Sequence, residues 1–198
     1  MGSSRKYEIH PMNVKEALKG LLDLSSLMLD LAYASVIYDN SELAKQVVDL
    51  EASINELRDA VLVHMSVAVR SMSDAERSLS VFRAADIASM MAYEAVEVAR
   101  MVLRGLRLHP KLREGLMEAE ESVDIVRVSD GSVFEGLTIE EMLMISGVGF
   151  NVIAIKSGDR WIINPDESRR IMRDEVLVIR GTREALEHLR KLVEGDLG

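Results

Sequence analysis

The sequence contains no cysteine, and it has few aromatic residues. Without cysteine there can be no disulfide framework, thiolate metal site or cysteine nucleophile, and a reducing compartment is expected. Three Phe, four Tyr and one Trp stand against twelve Met and many Leu, Ala and Val. Such aliphatic and thioether side chains are typical of the seams between packed helices. The composition therefore favours a helical bundle.

Long uncharged hydrophobic runs are also missing, since no stretch of about eighteen apolar residues occurs without a charge. We therefore expect a chain that does not itself span a membrane. The formal net charge is −9, and both halves of the chain are acidic. Nucleic-acid binding needs clustered Lys and Arg that displace counterions, so nucleic acid is excluded as a partner. With 48% hydrophobic residues, the chain has enough apolar material to fold.

Common catalytic and nucleotide-binding motifs are absent: there is no glycine-rich phosphate loop, no Gly-x-Ser-x-Gly and no His-Glu-x-x-His. No histidine has a second histidine at ligand spacing. Carboxylates on the predicted helices could form a metal site between helices, but they could equally solvate the outward faces. These candidates are Asp39, Asp49, Glu56, Asp86, Glu94 and Glu97. Because no Glu-x-x-His motif accompanies them, we predict no metal. The other missing motifs lead us to predict no cofactor and no catalytic residue.

Helical periodicity dominates up to about residue 121. It predicts one helix over residues 13–38, a second that Ser41 caps, a third that ends at Gly105, and a short fourth over residues 111–120 with Pro110 in its first turn. The second helix has a regular apolar seam, whose members are Leu43, Val47, Leu50, Ile54, Leu57, Val61, Met65, Ala68 and Met72. Such a stripe requires partner helices, so we predict an antiparallel bundle over residues 13–121.

The period changes at Ser122. Strands are predicted over residues 123–128, 150–155, 161–163 and 175–179. Between the first two, Thr138 and Glu141 form a capping-box pattern that opens a short helix, and Gly181-Thr182 opens a terminal one. The expected order is β-α-β-β-β-α over residues 122–198. The fold class is therefore α+β, with the small domain attached through residues 118–122.

The second domain resembles the TrkA-C domain, the C-terminal half of the RCK modules that regulate potassium channels and transporters. The resemblance covers about residues 123–192 and rests on four segments. They are Ser132-Val133-Phe134-Glu135-Gly136-Leu137-Thr138, Asn151-Val152-Ile153-Ala154-Ile155-Lys156, Ile163-Asn164-Pro165 and Asp174-Glu175-Val176-Leu177-Val178-Ile179-Arg180-Gly181. Where the family usually has Gly-Asp before its last strand, this sequence has Arg173-Asp174.

The helical half is similar to one three-helix repeat of the PhoU family over about residues 14–103. The segments that carry this resemblance are Asp39-Asn40-Ser41-Glu42-Leu43-Ala44, Ile54-Asn55-Glu56-Leu57 and Ala84-Ala85-Asp86-Ile87. PhoU proteins bind metal clusters through Glu/Asp-x-x-x-Asp motifs. The motif of the third helix falls here on Ser89 and Tyr93, neither of which is a carboxylate.

The two resemblances together imply a non-catalytic, cytoplasmic subunit that regulates potassium or other cation transport. Such a subunit would act beside a membrane channel or transporter and form a homodimer through its TrkA-C-like domain. The fusion lacks the Rossmann half of an RCK module, which disfavours NAD and ATP. Some TrkA-C domains bind cyclic di-AMP at the dimer interface, and the corresponding positions here are Ile153, Ile155, Asn164 and Pro165.

Three alternatives stay open. All four positions could be ordinary core and turn residues. The protein could also be a structural or scaffolding homodimer without a ligand. A PhoU-type protein that binds metal through carboxylates is the third alternative.

Overall fold

The computed structural model of the chain describes residues 13–117 and 122–194. The chain divides into two compact units, and the division falls between Leu108 and His109. The sequence placed its domain boundary at residues 121 and 122, and residues 118–121 lie outside the described part. The domain bounds therefore remain a prediction.

The first unit is a bundle of three long helices: α1 (Val14–Ile37), α2 (Ser41–Ala68) and α3 (Met72–Leu103). Each helix packs against the other two. Ala85, Ala88, Ala92, Ala95 and Ala99 form the buried line of α3. Their small side chains let the neighbouring helices approach closely.

Polar side chains fix where the helices begin. Asn13 and Glu16 form a reciprocal capping box at α1, and Ser71 caps α3 by accepting a hydrogen bond from the Asp74 N–H. The prediction that Ser41 caps α2 is wrong. The cap is Asn40, whose side-chain oxygen accepts from the N–H groups of Glu42 and Leu43. A short Asn amide reaches both donors, so the helix includes Ser41 as its first residue.

The predicted α2 seam is buried from Leu43 to Val61. Its last three members are not, since Met65 is half-buried and Ala68 and Met72 are exposed. The antiparallel register of α1 and α2 gives the reason. Gly20 of α1 lies against the Leu57 side chain, so the start of α1 is about level with Val63. Beyond that level no part of α1 covers α2.

α1 is the one helix among the described residues that is long and apolar enough to cross a membrane. More than half of its most apolar window, 56%, is buried inside the protein. Ala17, Leu21, Leu24 and Leu31 are all buried in the bundle. A core helix passes the same test of length and composition, so α1 does not indicate a membrane span.

The second unit is built from α4 (Pro110–Met117), β1 (Ser122–Arg127), α5 (Ile139–Ser146), β2 (Phe150–Ser157), β3 (Arg160–Ile163), β4 (Val176–Gly181) and α6 (Arg183–Glu194). The four strands form one antiparallel sheet in the order β1-β4-β2-β3. From β1 onward the element order is the predicted β-α-β-β-β-α, and the α+β class is confirmed. The last residues of the predicted fourth helix, 118–120, lie outside the described part.

The core of the second unit lies between one face of the sheet and helices α5 and α6. Phe134, Met142, Ile155, Leu177 and Leu189 are fully buried there. The register between β2 and β4 shifts between Val152 and Ala154, and this bulge places Val152 and Ile155 in the same core. Thr138 and Glu141 form the predicted capping box, and Gly147 ends α5 with φ 66°.

Candidate functional site

Three of the four predicted ligand-binding positions lie at one end of the β2–β3 hairpin. The Asn164 N–H donates to the Ile153 carbonyl oxygen at 2.9 Å, immediately beyond the last paired residues, Ala154 and Ile163. Asn164 is exposed and has φ 48°, a left-handed conformation that asparagine tolerates better than most residues. Pro165, half-buried, follows directly. The hairpin thus presents an amide donor and acceptor beside a rigid turn.

Ile155, the fourth position, lies elsewhere. Its side chain is fully buried in the core shared with α5 and α6, whereas Ile153, which is 7% exposed, is buried outside that cluster at the bulge. Residues two apart in a regular strand would share a face, but the bulge breaks that alternation. The structure brings together Ile153, Asn164 and Pro165, and it separates Ile155 from them.

Sequence reasoning missed Trp161, which lies on the same hairpin. Trp161 pairs across the strands with Lys156, whose Nζ lies 5.7 Å from the centre of the indole ring. Trp161 and Ile163 are two apart on β3 and therefore share a face of the hairpin. The signal available in the sequence was that Trp161 is the single tryptophan of the chain.

A second concave place lies at the opposite edge of the sheet, between β1 and α6. The cavity has a volume of about 240 Å³ and is lined by Ile125, Val126, Arg127, Ser129, Arg190 and Val193. Drug-sized ligands occupy cavities of roughly 300–1,000 Å³, so this one suits only a smaller group. Its polar side is anchored by Arg190, which donates a hydrogen bond to the carboxylate of Asp124.

Asp124 is a buried carboxylate within an apolar strand, 7% exposed. Burial raises the pKa of Asp124, while the charge of Arg190 and hydrogen bonds from Arg190 and the Ile125 N–H partly lower it again. The sequence signal was an acidic residue at a core-facing strand position, which requires a partner. The pair links β1 to α6.

The segment before β4 is held by a second ion pair. Glu175 is 1% exposed, and Arg169 donates to both of its carboxylate oxygens, at 2.7 and 3.0 Å. The Met172 N–H donates to the same carboxylate at 2.9 Å. Burial alone would raise the pKa of Glu175, but the hydrogen bonds from Arg169, Met172 and Ser157 outweigh it and the pKa is lowered.

In the bundle, a polar seam joins α2 to α3. The Arg58 guanidinium donates to the Tyr93 hydroxyl at 2.8 Å, and that hydroxyl donates to the Asn55 side chain at 2.8 Å. The Ser89 hydroxyl, one turn away, is buried and bonds back to the Ala85 carbonyl. Arg58 therefore places a fixed positive charge beside Tyr93.

The six carboxylates considered as metal ligands are not gathered into a site. Within residues 13–117 and 122–194, no three His, Cys, Asp or Glu side chains stand close enough to hold a metal ion. Asp39 pairs with Arg107 at 2.7 Å, and Glu97 pairs with Arg100. Asp49, Asp86 and Glu94 are exposed, as expected of side chains that solvate outward faces.

Comparison with known families assigns both units. Residues 18–102 match the PhoU domain, and residues 125–194 match the TrkA-C domain. The chain joins a PhoU domain to a TrkA-C domain. The two matches confirm the resemblances drawn from the sequence, and each falls within one of the two units.

Two solved structures are similar to the chain only at the level of fold. The crystal structure of the GsuK RCK domain is 17% identical with a TM-score of 0.34, and the match covers 61% of this chain and 26% of that one. The GsuK channel bound to NAD is 16% identical with a TM-score of 0.33, with coverage of 59% and 21%. The chain thus spans about a quarter of their length. No curated protein matches it.

In the PhoU domain, Ser89 and Tyr93 are the residues that the sequence resemblance aligns with the third-helix metal motif. The Ser89 hydroxyl donates a hydrogen bond to the Ala85 carbonyl of its own helix, and the Tyr93 hydroxyl accepts one from the Arg58 guanidinium. A cation beside these positions opposes a second cation. In the TrkA-C domain, the Arg173-Asp174 departure falls in the turn before β4, where Asp174 has φ 64°.

Proposed function

We propose that the protein is a non-catalytic regulatory subunit of cation transport, with potassium as the cation. The observation that carries the proposal is the joining of a PhoU domain to a TrkA-C domain in one chain. TrkA-C domains belong to the regulatory modules of membrane channels and transporters. The subunit acts from the cytoplasm, peripheral to the membrane, through a channel or transporter partner.

The β2–β3 hairpin is the proposed sensing site, and a homodimer of TrkA-C domains would complete it. Asn164 offers both hydrogen-bond donors and an acceptor at the surface, beside the half-buried Pro165 and next to the buried Ile153. Trp161 and Lys156 on the same hairpin add a planar aromatic face and a positive charge. A planar base attached to a phosphate can stack on an aromatic face, hydrogen-bond to an amide and pair with a positive charge, which supports cyclic di-AMP as the effector.

The buried position of Ile155 changes which substitutions test the site. Ile155→Ala would remove core packing, so loss of binding would be ambiguous. Asn164→Gly removes the amide but keeps both the left-handed backbone and the N–H that bonds to Ile153. Asp174→Gly is the matched control, because Asp174 is another exposed left-handed residue of the same unit.

The test is a titration of the full chain with cyclic di-AMP, followed by calorimetry and by the fluorescence of Trp161. We expect saturable binding in the parent and in Asp174→Gly, and a loss of about tenfold or more in affinity in Asn164→Gly. Absence of binding in the parent would favour the scaffolding alternative. Equal binding in all three would place the site away from this hairpin.

A further inference from the structure

The outer face of α3 carries large apolar side chains that neither α1 nor α2 covers. Ile87 is 59% exposed and Met90 is 63% exposed, and Leu79 and Met101 are similarly open. We define the outer stripe of α3 as Leu79, Arg83, Ile87, Met90, Glu94, Val98 and Met101. Exposed apolar side chains in a continuous line mark an interaction surface more often than scattered ones do.

The outer stripe follows one line along the helix. Its members are separated by four, four and three residues, and this pattern of eleven repeats from Leu79 to Met90 and from Met90 to Met101. An eleven-residue repeat corresponds to about 3.67 residues per turn, so the line stays nearly straight along the helix. It lies opposite the buried alanines, such as Ala92, and extends about 33 Å.

The stripe is complementary to itself when it is read in the reverse direction. In an antiparallel pair centred between Ala88 and Ser89, Ile87 faces Met90 of the second copy. In the same register Arg83 faces Glu94 and Leu79 faces Val98. From Leu79 to Val98 every apolar position thus meets an apolar one and each charge meets its opposite, while Met101 at the end of the stripe faces Glu76.

We propose that the outer stripe binds a second copy of this chain, α3 against α3, in this antiparallel register. The arrangement is a two-fold contact in which the same surface serves both copies. It is independent of the proposed ligand and of pairing between TrkA-C domains. The PhoU domain would then provide an interface of its own.

The charges decide between this register and others. Arg83 and Glu94 are exposed, and neither forms an ion pair within the described part of the chain. A parallel pairing would place Arg83 on Arg83 and Glu94 on Glu94, which is unfavourable for like charges. The antiparallel register places both charges of each copy beside a partner, which gives two ion pairs related by the two-fold symmetry.

The absence of cysteine allows a crosslinking test on the full chain. Residue 87 of one copy is offset from residue 87 of the other by about 4.5 Å along the helix axis, whereas the offset for residue 98 is about 28 Å. A short bis-maleimide should therefore crosslink Ile87→Cys to itself but not Val98→Cys. A mixture of Leu79→Cys and Val98→Cys should also crosslink, because these positions face each other.

Charge reversal tests the same register by rescue. Arg83→Glu or Glu94→Arg, each in the Ile87→Cys background, should lower the crosslinked fraction about tenfold, and the double reversal should restore it. Helical circular dichroism of each variant is the control, and it should match that of the parent because the substituted residues are exposed. Three results would each overturn the proposal: no Ile87→Cys crosslink at micromolar concentration, equal crosslinking of Val98→Cys alone, or a double reversal no better than the single ones.

Discussion

Arg169 donates one hydrogen bond to each carboxylate oxygen of Glu175, and Glu175 is 1% exposed. The pair joins the two ends of the segment 169–175, which immediately precedes β4. An arginine and a carboxylate in this bidentate geometry form the stronger kind of charge-assisted hydrogen bond. Its contribution can be measured separately from the bundle, because Trp161, the single tryptophan, reports on the second unit.

Glu175→Gln should lower the free energy of unfolding of the second unit by about 1–3 kcal/mol at neutral pH. The native pKa of Glu175 is lowered, so its contribution is present above the unfolded pKa of about 4.3 and is lost as the pH falls through the native value. The gap between parent and variant should therefore narrow as the pH falls below the unfolded pKa and close once it is below the native pKa. Urea denaturation followed by Trp161 fluorescence measures it, with Glu187→Gln as the exposed control. A gap that does not change with pH would contradict this prediction.

Arg190→Met tests the opposite pH dependence, in which stability is lost as the pH rises. Burial already raises the pKa of Asp124, and removing Arg190 raises it further. A raised native pKa favours folding below the unfolded value of about 3.9, and this advantage is lost as the pH rises. The variant should match the parent near pH 4 and be less stable by about 1–2 kcal/mol at pH 7. Arg183→Met, which removes only a long surface pair with Glu187, should stay within about 0.5 kcal/mol throughout.

Leu57→Ala should destabilise the bundle by about 2–5 kcal/mol, because Leu57 is fully buried and packs on Gly20. Val63→Ala is the matched control on the same helix. Val63 is 62% exposed, so its truncation should cost less than about 0.5 kcal/mol. Thermal or urea unfolding followed by helical circular dichroism separates the two. Equal midpoints for Leu57→Ala and the parent would mean that this face of α2 is not the packed one.

The sequence predicted the order of the elements, because helical and strand periods and the capping boxes are local signals. Of three errors, one was a local choice between adjacent capping residues, and two came from contacts that are not local. The cap of α2 is Asn40, one residue before the predicted Ser41. Met65 and Ala68 are not buried by α1, because α1 begins level with Val63. The bulge after Val152 placed Ile155 in the core, apart from Ile153, and a bulge leaves no reliable mark in a single sequence.

We expect the purified protein to hold no stoichiometric iron or zinc, since Ser89 and Tyr93 offer no carboxylate and Arg58 lies beside them. Elemental analysis of the full chain checks this. Tyr93→Phe should cost about 1–2 kcal/mol by leaving Arg58 and Asn55 without their shared partner. Ser89→Ala should be nearly neutral, because it removes only a bond to the helix's own backbone. Tightly held metal that survives dialysis would move the account toward a PhoU metal protein.

The most direct test of the central claim is rubidium uptake, as a measure of potassium transport, in native cells that carry the parent gene, a deletion, Asn164→Gly or Asp174→Gly. Cyclic di-AMP is raised or lowered in each strain. If the chain senses this effector for a transporter, uptake responds in the parent and in Asp174→Gly, and the response is lost in the deletion and in Asn164→Gly. Uptake in the deletion that matches the parent at every effector level would contradict a role in cation transport.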